Sequence, residues 1–366
     1  MKIAFDAKRA FANARGLGNY SRDTIRLLAA YAPQNEYVLC GEPTARFRLD
    51  GARILYPYGI WKAVPWAWRS RGCIRDLVRE GVNVYHGLSG EIPFGIPQSG
   101  IKTIVTMHDA IFVRNPELYS PTYRWIFIKK VQYACDYADR IIAISEQTKQ
   151  DLIHYFHADE SKIRVVYQGC HKQFREAVSE EMVSRVRQIY TLPENYLLYV
   201  GAIEPRKNLL NLVQALAENK IQVPLVIMGA YSAYTEQVAK TAAQSGVQIQ
   251  FLHGIPFGDF PAIYRGAEVF VYPSIFEGFG IPILEAMCVG VPVVTSTGSC
   301  FEETGGAAAL YADPYQPKEI GRQIERILSD KALRAGMVRK GHEQAEKFTD
   351  EQVAHNLLAV YKELEK

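Results

Sequence analysis

The chain has 366 residues, 48% hydrophobic and 22% charged, with 42 Lys and Arg against 39 Asp and Glu. That length exceeds one ordinary core and predicts two domains of about 150–200 residues, and the composition excludes a disordered chain. No apolar run reaches the roughly 18–20 residues of a membrane span, and no secretory apolar stretch opens the sequence.

The six cysteines (Cys40, Cys73, Cys135, Cys170, Cys288, Cys300) are scattered, with no Cys-x-x-Cys. This predicts reduced thiols in a cytoplasm rather than disulfides or a zinc site. Charge is divided unevenly. Residues 1–174 carry 24 basic and 16 acidic side chains, the remainder 18 and 23. A basic half suits an anionic partner such as a phosphorylated ligand or membrane headgroups, although surface charge also drifts between domains without such a cause. Nucleic acid is not expected, because the bases are dispersed and no recognition motif accompanies them.

Short apolar runs alternate with helix-length segments. Strands are predicted at 2–6, 37–40, 82–86, 102–108, 140–145 and 164–167, then at 196–201, 225–228, 249–251, 269–272 and 291–295. Many are apolar throughout, as strands buried on both faces are. Helices are predicted at 20–31, 74–80, 123–138, 146–155, 209–219, 235–245, 257–266, 282–288, 317–329, 331–347 and 350–365. Two such series imply two doubly wound parallel sheets. The expected domains are 1–175 and 176–349, with a boundary in the charge-dense stretch 172–194. The last helix has an apolar face of Val353, Leu357, Leu358, Val360, Tyr361 and Leu364 that must pack on something.

The motif that says most is Phe276-Glu277-Gly278-Phe279-Gly280-Ile281-Pro282-Ile283-Leu284-Glu285. It follows the strand at 269–272 and leads into a helix, the usual arrangement for holding phosphate at unpaired N–H groups. Glu277 falls in the loop and Glu285 about one turn into the helix. Gly201-Ala202-Ile203-Glu204-Pro205-Arg206-Lys207-Asn208 also joins a strand to a helix. Its adjacent guanidinium and ammonium make an anion site suited to a diphosphate leaving group; alone, the stretch would read as a solvated basic turn.

Gly16-Leu17-Gly18-Asn19-Tyr20-Ser21 resembles a dinucleotide fingerprint, with Glu42 near the place of a ribose-binding acid. The loop from Asp6 to Gly16 is too long for that turn, so the segment reads as a loop that lets backbone approach a phosphate or sugar. His108 ends a buried strand and is expected to orient a sugar or line an acceptor site; a structural histidine is the bland reading. Ser145 reads as a helix cap. Glu302-Glu303 reads as a polar loop or a cleft-edge contact. The stretch 56–69 mixes aromatics with bases and reads as a lipid or saccharide contact, or as core packing. No Asp-x-Asp or other metal spacing is present.

Together these residues resemble the retaining glycosyltransferases of family 4, over nearly the whole chain. The Glu-x7-Glu motif from Glu277 to Glu285 and Glu204-Pro205-Arg206-Lys207-Asn208 are the most specific parts, and Gly16–Tyr20, His108-Asp109 and Ser145-Glu146 also match. The resemblance implies a GT-B fold: two facing Rossmann-like domains with a cleft between them, and a helix at 350–366 crossing back to the N-terminal domain. It implies a nucleotide-sugar donor bound by Gly16, Gly18, Gly201, Arg206, Lys207, Glu277, Gly278, Phe279, Gly280, Ile281 and Glu285. Arg206 and Lys207 would grip the diphosphate, Glu285 the ribose and Glu277 the sugar. The catalytic candidates are His108, Arg206, Lys207 and Glu277.

The implied activity is metal-independent, cofactor-free, retaining transfer of a hexose to a glycan or lipid-linked acceptor in cell-surface polysaccharide synthesis. The released nucleotide would be GDP or UDP, and the donor pattern leans toward GDP-mannose. The implied location is cytoplasmic, with peripheral contact at the inner membrane face. Relatives often carry Pro-Glu where Phe301-Glu302 stands here, which alters the acceptor-side loop. A nucleotide-sugar epimerase or other GT-B enzyme is the alternative; an oxidoreductase using Gly16–Ser21 and a non-catalytic sugar-nucleotide binder are the remaining ones.

Overall fold

A computed structural model describes residues 1–365. The chain divides into two compact units, Met1–Gln168 with the segment from Asp350 onward, and Gly169–Thr349. The first carries strands β1 (Lys2–Asp6), β2 (Glu36–Cys40), β3 (Arg53–Leu55), β4 (Val84–Gly87), β5 (Lys102–Met107), β6 (Arg140–Ala143) and β7 (Ile163–Val165). The second carries β8 (Leu197–Val200), β9 (Leu225–Met228), β10 (Ile249–Leu252), β11 (Val269–Tyr272), β12 (Val293–Ser296) and β13 (Ala309–Ala312).

Every pairing is parallel, in the orders β3-β2-β1-β4-β5-β6-β7 and β10-β9-β8-β11-β12-β13. In each sheet the order reverses once beside the unit's first strand, between β1 and β4 and between β8 and β11. Ligands of such sheets bind beyond the carboxyl ends of the strands at that reversal. Central strands such as Leu197–Val200 and Val269–Tyr272 are buried at every residue, so helices cover both faces.

Three expectations need correction. The charge-dense stretch before Leu192 is not a linker. Glu180–Ile189 is a helix capped by Ser179, whose side chain accepts from the Met182 amide, and it belongs to the second unit, which begins at Gly169. Strands β3 and β13 were missed; one has only three residues, and the other is half alanine, a residue that favours helix. Gly16 to Ser21 is not a loop but the start of the helix Gly16–Tyr31. Gly18 is required there by close approach, because a Cβ would lie 1.9 Å from the Asn13 carbonyl oxygen.

The last helix, Asp350–Lys362, buries Val353, Ala354, Leu357, Val360 and Tyr361 in the first unit and packs on Gly16–Tyr31. Glu363, just beyond it, bonds Arg140 at 2.6 Å and Arg164 at 2.8 Å, at the starts of β6 and β7. Inside, the Tyr361 hydroxyl meets His86 Nδ1 at 2.7 Å, His86 Nε2 meets Thr106 Oγ1 at 2.8 Å, and Thr106 meets the Tyr20 hydroxyl at 2.9 Å. Burial pushes the His86 pKa down to about 3, so the ring is neutral and works as a relay of hydrogen bonds.

Tyr361→Phe leaves one buried His86 nitrogen without its partner and is expected to cost about 1–3 kcal/mol. Urea unfolding measures it; an unchanged midpoint would show that the chain of hydrogen bonds contributes nothing to stability.

Candidate functional site

In the second unit the functional side chains collect at the β8/β11 reversal. After β8 the backbone runs through Gly201, whose N–H donates to the Met228 carbonyl at 3.0 Å, into a single 3-10 turn, Pro205–Lys207. Arg206 and Lys207 therefore stand on a turn just ahead of the helix Leu209–Glu218, in line with the helix predicted from residue 209. Asn208 adopts a left-handed conformation with φ of 63°, which Asn tolerates better than most side chains. Its amide donates to the carbonyls of Pro273 at 3.0 Å and Pro314 at 2.7 Å. The Ile275 N–H donates to the Arg206 carbonyl at 2.9 Å. These bonds tie the basic turn to the loop after β11.

That loop carries Glu277. Its Oε1 accepts from Lys207 Nζ at 2.5 Å, lies 3.0 Å from Arg206 Nη1, and accepts from the Tyr272 hydroxyl at 3.2 Å. Lys207 Nζ also donates to the Tyr272 hydroxyl at 2.9 Å. Arg206 further bonds Glu204 Oε1 at 2.8 Å and the Phe276 carbonyl. Ser299 closes the loop from the other side: its Oγ accepts from the Glu277 N–H at 3.2 Å and donates to the Glu277 carbonyl at 2.9 Å. Burial alone would raise the Glu277 pKa, but the Lys207 and Arg206 charges prevail and hold it at about 2, against an ordinary 4.5. The charged form is thereby favoured by on the order of 3 kcal/mol. This stability is complete above about pH 4.5 and is lost as the pH falls toward 2.

Arg206, Lys207 and Glu277 form one ion triad, buried or nearly so, with side chains 15%, 9% and 12% exposed. Glu204 also pairs with Arg206, so two cations face two carboxylates. Glu204 is 44% exposed, and a diphosphate that displaced it would meet Arg206 and Lys207 already fixed by Glu277.

Gly278, Phe279, Gly280 and Ile281 complete the passage into the helix Ile281–Cys288. Gly280 sits at its N-cap with φ of 96°, a conformation that strains any residue with a Cβ. The Phe279 ring is buried, edge-on to Phe348 at 5.4 Å, and its carbonyl accepts from Thr304 Oγ1 at 2.5 Å. Its side chain serves the core rather than a ligand. Glu285 lies one turn into the helix, where its Oε2 accepts from the Tyr264 hydroxyl at 2.7 Å. Burial outweighs that bond and raises the Glu285 pKa to about 7.

In the first unit, His108 follows β5. A carbonyl only accepts, so Nε2 donates to the Leu88 oxygen at 2.9 Å and the neutral ring keeps Nδ1 as an acceptor. Burial, with help from the Arg9 charge, outweighs the Leu88 bond and holds its pKa at about 4. Such a ring is too weak a base for general base work near pH 7 but can accept from a hydroxyl. Gly16 and Gly18 are in the same unit, in the first turn of Gly16–Tyr31.

Ser145 caps Glu146–Phe156, accepting from the Thr148 N–H at 3.0 Å. Glu302 lies on the short helix Phe301–Gly305 and accepts from the Gly298 N–H at 2.9 Å, so it shapes its own loop. The 56–69 stretch divides. Trp68 is buried with its indole N–H on Asp76 at 2.8 Å, while Ile60 and Trp66 are 81% and 72% exposed. Among the described residues, no group of three or more His, Cys, Asp or Glu is placed to hold a metal ion.

Sequence reasoning missed Tyr272, Tyr264 and Ser299 as partners of the two glutamates. Tyr272 carried a faint signal, as the single polar tip in an apolar strand at its carboxyl end. Tyr264 and Ser299 are brought in only by tertiary structure.

Residues 14–174 match the Glycosyltransferase Family 4 model and residues 184–344 match Glycosyl transferases group 1. The O-antigen chain mannosyltransferase B of Escherichia coli is 30% identical over 322 residues, covering 86% of this chain and 80% of that protein. The chain belongs to this glycosyltransferase family. The serotype-specific mannosyltransferase WbdA of Escherichia coli is 29% identical over 289 residues, 75% of this chain but only 35% of that longer protein. Among solved structures, a glycosyltransferase from Rickettsia africae superposes with a TM-score of 0.79 at 16% identity, covering 100% of this chain and 98% of that one. Anabaena HepE in complex with UDP-glucose gives 0.77 at 17% identity, covering 99% and 100%. The glycosyltransferase thus has the GT-B fold, with two Rossmann-like parallel-sheet units.

The folded glycosyltransferase holds the Glu285 proton to about pH 7, whereas an ordinary carboxyl releases it near 4.5. Folding is therefore weakened as the pH rises through that window. Glu285→Gln is expected to raise stability by about 1–2 kcal/mol at pH 8 and to add nothing at pH 5. Urea unfolding at both pH values checks this; equal effects at the two would contradict it.

Proposed function

We propose that the protein transfers a hexose, mannose from GDP-mannose, with retention of anomeric configuration, to a glycan or lipid-linked saccharide in the synthesis of a cell-surface polysaccharide. The observation that carries this reading is the Arg206–Glu277–Lys207 triad at the β8/β11 reversal. The mannosyl preference draws support from relatives named as O-antigen and serotype-specific mannosyltransferases. HepE is described with UDP and UDP-glucose, so the uracil nucleotides are the competing donors to test.

In this reading Arg206 and Lys207 meet the donor diphosphate, which displaces the half-exposed Glu204 from Arg206. As the bond to the sugar breaks, negative charge grows on the departing phosphate, and Arg206 and Lys207, already fixed, stabilise it. Glu277, fully ionised, takes a hydroxyl of the sugar with its second oxygen. Glu285 binds the ribose hydroxyls with the help of Tyr264. Gly16 and Gly201 let backbone approach the phosphates, and Gly18 serves through the close packing that sets the start of its helix. The first unit receives the acceptor, with His108 accepting from a hydroxyl. The departing phosphate itself takes the acceptor proton, and no metal or cofactor enters.

Peripheral contact with an anionic membrane draws support from exposed Ile60 and Trp66 and from the basic surplus of residues 1–174. No helix among the described residues is long and apolar enough to cross a membrane.

A panel of GDP- and UDP-sugars read by thermal shift tests the donor. GDP and GDP-mannose are expected to stabilise the protein most; no shift with any nucleoside diphosphate would overturn the reading. Lys207→Ala and Glu285→Ala are each expected to lower kcat/KM for donor by about 100-fold or more. Wild-type rates in both would sink it. Release of nucleoside diphosphate without any acceptor product would favour a different enzyme class.

A further inference from the structure

The strand-order reversal that gathers Arg206, Lys207 and Glu277 in the second unit has a counterpart in the first, between β1 and β4. Charges crowd there as well. Asp6, at the end of β1, is gripped by Arg69, whose Nε lies 3.0 Å from both carboxylate oxygens. Arg69 Nη1 reaches Glu91 at 2.6 Å, and Lys130 reaches the other Glu91 oxygen at 2.6 Å. Two cations and two anions are thereby matched.

Lys8 and Arg9, in the short helix Lys8–Ala12 that follows Asp6, have no such match. Among the described residues neither forms a salt bridge, and the Arg9 Nε is buried without a hydrogen-bond partner. Lys8 is solvent-exposed; partial burial and the Arg69 and Arg9 charges disfavour its ammonium, and Glu91 and Asp6 offset them only in part. The segment cannot relax outward freely, because Arg22 Nη1 holds the carbonyls of Ala10 at 2.9 Å and Asn13 at 2.8 Å.

A second orphan stands in the turn just past β4. Ser89 is 6% exposed, and its Oγ has no partner. Its backbone is fixed on both sides: the Leu88 carbonyl accepts from His108, and the Gly90 N–H donates to the Thr106 carbonyl at 2.9 Å. Strands β1 and β4 are adjacent and parallel, with Phe5 opposite His86, so the segments that carry Arg9 and Ser89 leave the sheet side by side. Buried polar atoms are normally satisfied, and two orphans just past adjacent strands, beside cations that form no ion pair, suit an anion.

We infer that Lys8, Arg9 and Ser89, at the β1/β4 reversal, form a subsite for a phosphoryl group of the acceptor. The inference rests on the reading of the first unit as the acceptor-binding unit. Arg9 and Lys8 supply charge and Ser89 a hydroxyl donor, while the neutral His108 beside them accepts from an adjacent sugar hydroxyl. The acceptor class is a phosphorylated saccharide, either soluble or carried on a lipid diphosphate.

Calorimetric titration of the full chain with inorganic pyrophosphate, in the presence of saturating GDP or UDP, tests this. Wild type is expected to bind. Arg9→Gln and Ser89→Ala are each expected to weaken that binding by about tenfold or more, with nucleotide affinity within about twofold of wild type as the check on folding. Wild-type pyrophosphate affinity in both variants, or no binding to wild type, overturns the subsite. Failure of the nucleotide to bind would instead strike the donor assignment, and the difference in pyrophosphate affinity between wild type and Arg9→Gln would still report on the subsite. Competition by a soluble sugar phosphate identifies a soluble acceptor, and competition by a prenyl diphosphate in micelles a lipid-linked one; competition by neither overturns the acceptor role.

Discussion

A parallel strand buried on both faces can offer chemistry only at its ends, because helices seal everything between. In each sheet of this glycosyltransferase the strand order reverses at one place, and there the flanking crossovers leave in opposite directions. The residues just past β8 and β11, and just past β1 and β4, therefore stand at that gap, the latter on the short helix Lys8–Ala12 and the turn after β4. Both gaps are lined by cations, and their difference lies in compensation. Past β8 and β11, Glu277 sits between Arg206 and Lys207 and holds them in place. Past β1 and β4, Asp6 and Glu91 are taken up by Arg69 and Lys130.

The triad also shows how a charged site is kept in a protein interior. Removing two cations and a carboxylate from water is costly unless each finds partners. Here the charged groups partner one another and the buried Tyr272 hydroxyl, while Ser299 and Asn208 hold the backbone that carries them. Glu285 is treated in the opposite way. With a single tyrosine hydroxyl for company it retains its proton to about pH 7. Its environment costs stability above that pH, a common signature of a residue kept for binding rather than folding.

Much of this was legible in the sequence because the relevant signals were local. All-apolar runs such as Leu225–Met228 and Val269–Tyr272 announced buried parallel strands to the residue, and the Phe276–Glu285 motif carried its own turn, N-cap glycine and helix start. What was hidden depended on distance along the chain. That Lys207 and Glu277 are ion-paired cannot be read from residues 70 apart. The clamp from Ser299 and the hydroxyl from Tyr264 are equally remote. Gly16 to Ser21 misled because two glycines suggest a loop, whereas Gly18 is present to let the Asn13 carbonyl pass close by. The helix Glu180–Ile189 was overlooked because its charges read as a linker, although most are simply its solvent face.

The return of Asp350–Lys362 to the first unit has a consequence for synthesis on the ribosome. The first unit is begun first but completed last, since Tyr361 and Glu363 supply bonds to His86, Arg140 and Arg164. The second unit, continuous from Gly169 to Thr349, has all of its own residues before those bonds can form. The nascent chain therefore carries an unfinished seven-stranded sheet while a complete six-stranded one folds behind it, with the exposed surface that such intermediates present to chaperones.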